Sequence, residues 1–274
     1  MTRLAATAQA QYFPTPDRVT TAIARYISPA PTRPGETIRL LDPCAGEGHA
    51  AAQLAAWLGA ESYGIELNAQ RAREAEARLG RLLCHDALWG VRLGTGSMSA
   101  MLLNPPYDHD QEKKRLEHAF LTQLTRVLAP GGVLALLIPQ RRLVVSARYL
   151  ASHYENLACY RFPDPEYGSY KQVVLFATRR AKAEADHGVQ ARIEGWAVAE
   201  LPQLPDVPGS DAPMYVAPAL PRGEVLFGVA GFDPQKAASE ARRKGVWAAK
   251  LLGEELWPAQ ERPVRPCEKA TSRC

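Results

Sequence analysis

The chain has 274 residues, of which 46% are hydrophobic and 23% are charged. This composition is typical of an ordinary globular protein and excludes a disordered or fibrous one. The formal net charge of +4 favours an anionic partner but is far below the positive charge of a histone-like protein.

The cysteines and the apolar segments indicate the compartment. The five cysteines contain no CxxC pair, which argues against a zinc cluster or a disulfide framework and favours a reducing compartment. The N-terminal segment lacks the apolar core of a signal peptide, and no later stretch approaches the roughly 18 apolar residues of a membrane span. We therefore expect an unexported, cytoplasmic protein with no membrane contact.

Apolar runs alternate with helical patterns from residue 19 to about residue 179. This alternation predicts a doubly wound, mostly parallel, Rossmann-like α/β sheet with helices on its faces. The predicted strands are 38–42, 61–66, 82–84, 100–103, 132–138 and 173–178. The predicted helices are Val19 to Tyr26, Gly48 to Leu58, Ala69 to Leu79 and Arg115 to Leu128, with a turn over 160–172. We expect Trp57 and Trp89 in the core.

The chain changes character after residue 180. An Ala/Lys/Glu-rich connector at 181–188 precedes a short predicted strand at 189–198, and six prolines between 202 and 221 argue against regular structure. One more strand is predicted at 224–230, a helix at 234–252, and a disordered tail over 258–274. This part is expected to be a small, irregular C-terminal extension.

A glycine turn follows the first predicted sheet strand. Asp42 ends that strand, and Gly46 and Gly48 precede a helix, so the backbone can approach a ligand closely. Phosphate-binding turns exploit the positive helix N-terminus and seldom place an acid beside an anionic group. Asp42 therefore indicates a ligand with a cationic group, such as the α-amino group of S-adenosylmethionine.

Two further acids follow the next two predicted strands. Glu66 lies about twenty residues after the glycine turn, where ribose hydroxyls are typically bound, and Asp86 follows at the next strand end. Three acids suit a ligand with an ammonium, a ribose diol and an adenine amine. Each acid alone could equally be a helix cap.

The fourth chemical signal is Asn104-Pro105-Pro106-Tyr107, directly after the strand predicted at 100–103. Two prolines make a stiff loop whose carbonyls have no neighbouring N–H to compete for them. The Asn104 side-chain oxygen and the Pro105 carbonyl could accept both hydrogens of a conjugated amine and favour a nucleophilic nitrogen. Tyr107 could stack on the flat target. A plain proline turn is the alternative.

These segments, DPCAGEG, YGIEL, CHDAL and MLLNPPY, resemble in order the motifs of class I S-adenosylmethionine-dependent methyltransferases of the amino-methylating branch. The segment Tyr12 to Pro16 resembles one that precedes the first strand in many DNA adenine-N6 methyltransferases and packs against the cofactor. The motif order is similar to the gamma arrangement of DNA methyltransferases. The whole chain also resembles an uncharacterised methyltransferase-like family of bacterial mobile elements.

The resemblance implies a domain division and a set of site residues. Residues 1–180 would form the methyltransferase domain, with a cofactor-packing segment at 11–16, the glycine turn at 38–48 and the catalytic loop at 101–107. Residues 181–257 would be an accessory region, short for an independent target-recognition domain, so a separate recognition subunit is conceivable. The implied S-adenosylmethionine contacts are Phe13, Thr15, Asp42, Cys44, Ala45, Gly46, Gly48, Glu66, Asp86 and Asn104, and the implied catalytic residues are Asn104 to Tyr107.

Several substrates share this loop. Protein glutamine and ribosomal guanine methyltransferases also use Asn-Pro-Pro-Tyr, but usually carry a sizeable N-terminal substrate domain, whereas cytosine-N4 enzymes usually have Ser at the first position. We therefore expect adenine N6 in DNA, with RNA or protein glutamine, or a non-catalytic nucleic-acid-binding protein, as alternatives. A flipped base requires phosphate contacts, for which the candidates are Lys113, Lys114, Arg115, Arg141 and Arg142. The six histidines show no metal spacing, and no metal is expected.

Overall fold

The computed structural model describes residues 14–107 and 115–229. The predictions made for Phe13, Lys113, Lys114, the helix at 234–252 and the tail over 258–274 lie outside these residues. The described helices are α1 Asp17–Arg25, α2 His49–Leu58, α3 Ala69–Glu76, α4 Leu116–Leu124, α5 Leu143–His153, α6 Glu166–Tyr170 and α7 His187–Trp196.

The described strands number thirteen, seven of which build the central sheet. They are β1 Ile27–Pro29, β2 Glu36–Thr37, β3 Arg39–Asp42, β4 Glu61–Glu66, β5 Arg81–Cys84, β6 Val91–Leu93, β7 Met98–Leu103, β8 Leu128–Pro139, β9 Tyr154–Arg161, β10 Gln172–Arg179, β11 Tyr215–Ala217, β12 Leu220–Pro221 and β13 Phe227–Val229.

The central sheet has the order β5-β4-β3-β7-β8-β10-β9. All neighbouring pairs from β5 to β8 are parallel, and β10 runs antiparallel to both β8 and β9. The first strand of the central sheet along the chain is β3. The chain then adds β4 and β5 on one side of β3 and returns to place β7 on its other side. A crevice opens at such a reversal, beyond the carboxyl ends of the two strands. The predicted doubly wound, mostly parallel sheet is confirmed.

Two hydrophobic cores lie on the two faces of this sheet. Successive residues of β3 and β7 alternate between them, since side chains along a strand point to opposite faces. Helix α2, which follows β3, packs in the core that contains Leu40, while α4, which follows β7, packs in the core that contains Leu41. The central strands are buried on both faces and therefore are almost continuously apolar.

Several predicted elements need correction. A strand was predicted at 189–198, but residues 189–196 belong to helix α7, which begins after Asp186 accepts the backbone N–H of Val189. Val189, Ile193 and Trp196 share one face at helical spacing and pack in the core. The predicted turn over 160–172 contains the end of β9 and the short helix α6.

The helix predicted over 115–128 ends earlier than expected. Helix α4 stops at Leu124, a 3₁₀ turn follows, and β8 already begins at Leu128 and runs through Pro130 and Gly131. Helix α5 and strand β9 were not predicted. Trp57 and Trp89 are not core residues, because their exposed fractions are 55% and 70%.

The segment after residue 200 packs against the N-terminal elements. Strand β11 pairs in parallel with β1, β12 pairs with β2, and β13 pairs with β6, so the predicted strand at 224–230 is present. The described residues all belong to one compact unit, Met1–Ala230. The functional division of the chain at residue 180 stays a prediction.

Tyr215 is the main anchor of this packing. Its ring stacks on Phe176 with centroids 5.4 Å apart, and Phe176 stacks in turn on Tyr26. The Tyr215 hydroxyl donates a hydrogen bond to the Asn156 carbonyl over 2.7 Å. The side chain is almost fully buried, so it ties β11 to the sheet.

Tyr215→Ala should therefore lower the free energy of unfolding by about 3 kcal/mol or more, the usual cost of truncating a buried aromatic ring. Val216→Ala, on the same strand but with the side chain 54% exposed, is the matched control and should change it by less than about 1 kcal/mol. Urea denaturation measures both values, and equal losses would contradict this account of β11.

Candidate active site

The glycine turn after β3 adopts the predicted form. Gly46 and Gly48 have φ angles of 54° and 82°, in the left-handed region that favours glycine, and the Gly48 N–H donates to the Ala45 carbonyl over 2.8 Å. A Cβ atom on Gly48 would also lie 3.1 Å from Ala75. Helix α2 begins immediately afterwards at His49, so the turn brings backbone to the carboxyl end of β3.

Asp42 is a buried carboxyl group at the end of β3. Its Oδ1 accepts the Cys44 N–H over 2.9 Å. Burial raises the pKa of Asp42 to about 7, and the negative charge of Glu66 contributes in the same direction. Within the described ranges no basic nitrogen forms an ion pair with Asp42. A buried carboxylate without a cationic partner fits the ammonium group of S-adenosylmethionine.

Glu66 connects the end of β4 to the glycine turn. Its Oε2 accepts the Gly46 N–H over 2.9 Å, while Oε1 accepts the Asn68 N–H over 2.7 Å and the Arg71 guanidinium over 2.8 Å. A carboxylate can accept about four hydrogen bonds. The predicted ribose contact would therefore use the remaining acceptor position on a side chain that already holds the turn in place.

Asp86 follows β5 and caps the backbone after it. Its Oδ1 accepts the N–H groups of Leu88 and Trp89 over 2.8 and 3.2 Å. The described residues between β5 and β6 contain no helix, so Asp86 caps a turn and not the helix considered as an alternative, and these two bonds fix the direction of its carboxyl group. Its predicted contact with the adenine amine stays a prediction.

The three acids follow β3, β4 and β5, which are parallel neighbours and end at one edge of the sheet. Burial raises the pKa of the Cys44 thiol, and the negative charges of Asp42, Glu66 and Asp86 raise it further. Such Coulombic effects require short separations. The structure therefore brings together the acids that the sequence places on three different strands, and Cys44 and Ala45 lie in the turn between them.

The Asn-Pro-Pro-Tyr loop leaves the end of β7 next to this cluster. The Tyr107 hydroxyl donates to Asn104 Oδ1 over 2.7 Å, and Asn104 Nδ2 donates to Thr15 Oγ1 over 3.1 Å. Thr15 belongs to the segment predicted to pack against the cofactor, and its contact here is with the Asn104 side chain. Pro105 is buried and Pro106 is half-buried.

Gln172 is a residue of this site that sequence reasoning missed. Its Nε2 donates to the Tyr107 hydroxyl over 2.5 Å. Burial raises the pKa of Tyr107 well above its usual range, and nearby Cys44 and Glu117 add to the increase, so the phenol stays neutral and able to donate. The available signal was a polar amide at the start of an otherwise apolar buried strand.

The predicted phosphate-binding cations have different surroundings. Arg115 is mostly buried, and its Nε lies 3.1 Å from the buried Glu117 carboxylate, to which Arg142 Nε lies 3.9 Å away. Arg141 is exposed. Lys171, which was not predicted, is exposed next to Gln172, and its carbonyl accepts the Gln140 N–H at the end of β8. Arg141 and Lys171 therefore lie at the carboxyl edge of the sheet.

Comparison with known proteins identifies the chain. Residues 1–219 match the sequence profile described as "Uncharacterised methyltransferase family (DUF6094)". The chain belongs to this family. The assignment confirms the prediction of a methyltransferase, while S-adenosylmethionine as its methyl donor stays a prediction. No curated protein matches the chain.

Solved structures resemble this methyltransferase at low sequence identity. A predicted O-methyltransferase from Agrobacterium tumefaciens has a TM-score of 0.45 and 17% identity, with 66% of this chain and 97% of that chain covered. A SAM-dependent methyltransferase from Thiobacillus denitrificans, in complex with S-adenosyl-L-homocysteine, has a TM-score of 0.41 and 13% identity, with 65% and 97% covered. An RNA methyltransferase from Salinibacter ruber has a TM-score of 0.40 and 16% identity, with 64% of this chain and 98% of that chain covered.

Two features are absent from the described part of the chain. No group of three or more His, Cys, Asp or Glu side chains among them is arranged to hold a metal ion. No helix within 14–107 or 115–229 has the length and apolar character needed to cross a membrane.

Asp42→Asn tests the buried carboxyl group. Because the folded pKa of about 7 lies above the ordinary value of 3.8, the Asp42 proton stabilises the fold below about pH 4, and this contribution is lost as pH rises through 7. The amide cannot ionise yet can still accept the Cys44 N–H. The variant should thus be more stable than wild type above pH 7, by about 1.4 kcal/mol for each unit of pKa shift at most, and match it at acid pH.

The same variant should bind S-adenosylmethionine more weakly by about 2 kcal/mol or more, because an ammonium would lose its charged partner. Thermal unfolding as a function of pH and calorimetric titration of the cofactor measure the two effects. Unchanged cofactor affinity would remove Asp42 from the binding site.

Proposed function

We propose that this methyltransferase transfers a methyl group to the exocyclic N6 amine of adenine in DNA. The observation that carries the proposal is the position of Asn104 to Tyr107 at the end of β7, beside the strand that ends in Asp42. A target amine held by this loop would lie next to the cofactor. The side-chain roles below follow from that arrangement.

The loop would activate the amine by accepting its hydrogens. Asn104 Oδ1 already accepts the Tyr107 hydroxyl, and an amide oxygen can accept a second hydrogen bond. The Pro105 carbonyl would accept the other amine hydrogen. Both bonds favour a more pyramidal nitrogen with an available lone pair, and fixed geometry lowers the barrier further.

S-adenosylmethionine, when bound, would supply a methyl group on a positively charged sulfur, with a neutral thioether as the leaving group. The amine lone pair forms the new N–C bond, and the nitrogen then releases one proton to solvent. No general base is required before the bond forms, because the cationic leaving group provides the driving force. The chain's task is to align the nitrogen and exclude competing water.

The cofactor contacts are proposed on the same basis. Asp42 would bind the ammonium group, Glu66 a ribose hydroxyl, and Asp86 the adenine amine. Gly46 and Gly48 would let the backbone approach the methionine moiety. Phe13, Thr15, Cys44 and Ala45 remain proposed neighbours of the cofactor.

DNA as the substrate is supported by charge at the same edge. Arg141 and Lys171 are exposed beside the carboxyl end of β8 and the start of the antiparallel β10, where a flipped base would enter and the phosphates would need cationic partners. A separate subunit that reads the DNA sequence stays a prediction.

Asn104→Ala should lower methyl transfer by about 100-fold or more, since one hydrogen-bonding group acting at the reacting centre commonly contributes that much. Cofactor affinity, measured by calorimetry, should stay close to wild type. Transfer is measured with labelled cofactor against DNA, RNA and protein in parallel. Label in RNA or protein alone would overturn the DNA proposal, and loss of cofactor binding in the variant would indicate a folding defect.

Arg141→Gln should weaken DNA binding for all sequences and reduce the salt dependence by about one released counterion. Arg148 is another exposed arginine, within α5, and Arg148→Gln, which removes the same charge away from the strand end, is the matched control. Binding isotherms at several salt concentrations measure both slopes. Identical slopes for the two variants would contradict a phosphate contact at Arg141.

A further inference from the structure

Gln172 occupies a special position in the sheet. It is the first residue of β10, the strand that runs antiparallel within the central sheet, and it pairs with Pro139 at the end of β8. The start of an antiparallel strand lies at the same edge as the ends of its parallel neighbours. Gln172 therefore lies at the sheet edge that carries the candidate active site, while the following five residues of β10 are buried and apolar.

The Gln172 side chain is buried in this position, with only 4% of its surface exposed. A buried amide that lacks partners costs about 1–3 kcal/mol. Its Nε2 donates to the Tyr107 hydroxyl over 2.5 Å, which ties the strand to the loop.

The donor at Gln172 determines the direction of the next hydrogen bonds. An amide nitrogen has only hydrogens to offer, so the Tyr107 hydroxyl must accept from it with a lone pair. The hydroxyl hydrogen is then directed to Asn104 Oδ1, 2.7 Å away. With its oxygen held there, Asn104 directs its own amide nitrogen to Thr15.

We propose that Gln172 is a positioning residue that sets the orientation of the Asn104 amide through Tyr107. The inference rests on the proposed function, in which Asn104 Oδ1 accepts a hydrogen of the target amine. We call the chain Gln172, Tyr107, Asn104 and Thr15 the amide relay.

The orientation matters because the two ends of an amide are opposite in hydrogen-bonding character. An Asn104 side chain rotated by half a turn would present its N–H groups to the amine, which also has hydrogens to donate. Without the Gln172 donor, the Tyr107 hydroxyl can turn to the Leu137 carbonyl, 3.4 Å away. The relay therefore keeps the acceptor end of Asn104 towards the substrate side.

Gln172→Glu tests the direction of the relay. An ionised carboxylate can only accept, so it would draw the Tyr107 hydrogen away from Asn104. We expect kcat to fall by about 100-fold, as for other small misplacements of reacting groups, with KM and cofactor affinity little changed. The loss should diminish as pH is lowered, because a protonated buried carboxyl can donate again. A loss that does not change with pH would overturn the proposed direction.

Gln172→Leu and Gln140→Leu form a matched pair. Gln140 is also a buried amide at this edge, but its Nε2 donates to the carbonyls of Trp196 and Ala199 and not to the loop. Gln140→Leu should lose at least as much thermal stability as Gln172→Leu, because Gln140 Oε1 also accepts the Tyr167 hydroxyl, whereas only Gln172→Leu should lower kcat. Equal reductions of kcat would assign Gln172 a merely structural role and overturn the proposal.

A measurement without turnover separates this inference from the proposed function. The side-chain amide NMR signals of Asn104, assigned by their loss in Asn104→Ala, should shift in Gln172→Leu and in Tyr107→Phe, and not in Gln140→Leu. If wild type methylates none of the tested substrates, the proposed function fails. The Asn104 amide signals still show whether Gln172 and Tyr107 set the orientation of the Asn104 side chain. Unshifted Asn104 signals in both relay variants would overturn the relay, and Tyr107→Phe keeps the test decisive if Gln172→Leu does not fold.

Discussion

The parallel pairing of β3 with β7 is the constraint on which the site depends. Leu40 pairs with Ala100 and Leu41 with Met101, so two strands separated by more than fifty residues end side by side. Because the helices that follow them pack on opposite faces of the sheet, the connections diverge and leave a crevice between the strand ends. Both groups of site residues, the acids with the glycine turn and the Asn-Pro-Pro-Tyr loop, lie at this crevice.

The crevice contains carboxyl groups whose burial costs free energy when they are ionised. Asp42 is held in a place where its charged form is disfavoured, as its raised pKa shows, and a cationic ligand would relieve this cost. Glu66 differs because Gly46, Asn68 and Arg71 already compensate its charge. One acid thus holds the turn in shape, while the other, Asp42, is the one we propose for the cationic group of the cofactor. Neighbouring carboxylates at one site can therefore have different tasks, set by their hydrogen-bond partners.

Elements that come late in the chain support the site and the central sheet. Strand β10 brings Gln172 to the catalytic loop, and the segment after residue 200 adds strands beside β1, β2 and β6. Tyr215 fills the aromatic cluster with Tyr26 and Phe176. The strands of this segment are only two or three residues long and would not be stable alone. Each is stabilised by pairing with β1, β2 or β6, so the segment can have an irregular composition.

Local sequence by itself determined the alternating elements, the sheet class and most of the candidate site. The glycine turn, the strand-end acids and the proline loop are read from adjacent residues, because backbone conformation and strand burial leave a direct mark on composition. The helical face of Val189, Ile193 and Trp196 was also present in the sequence, and its prediction as a strand was wrong because the segment is short. Tertiary structure alone decided which strands are neighbours, that the acids following β3, β4 and β5 lie at one edge of the sheet, and that Gln172 reaches Tyr107. Those contacts join residues far apart in the chain, and their energies depend on distances and burial that arise only when the sheet closes around them.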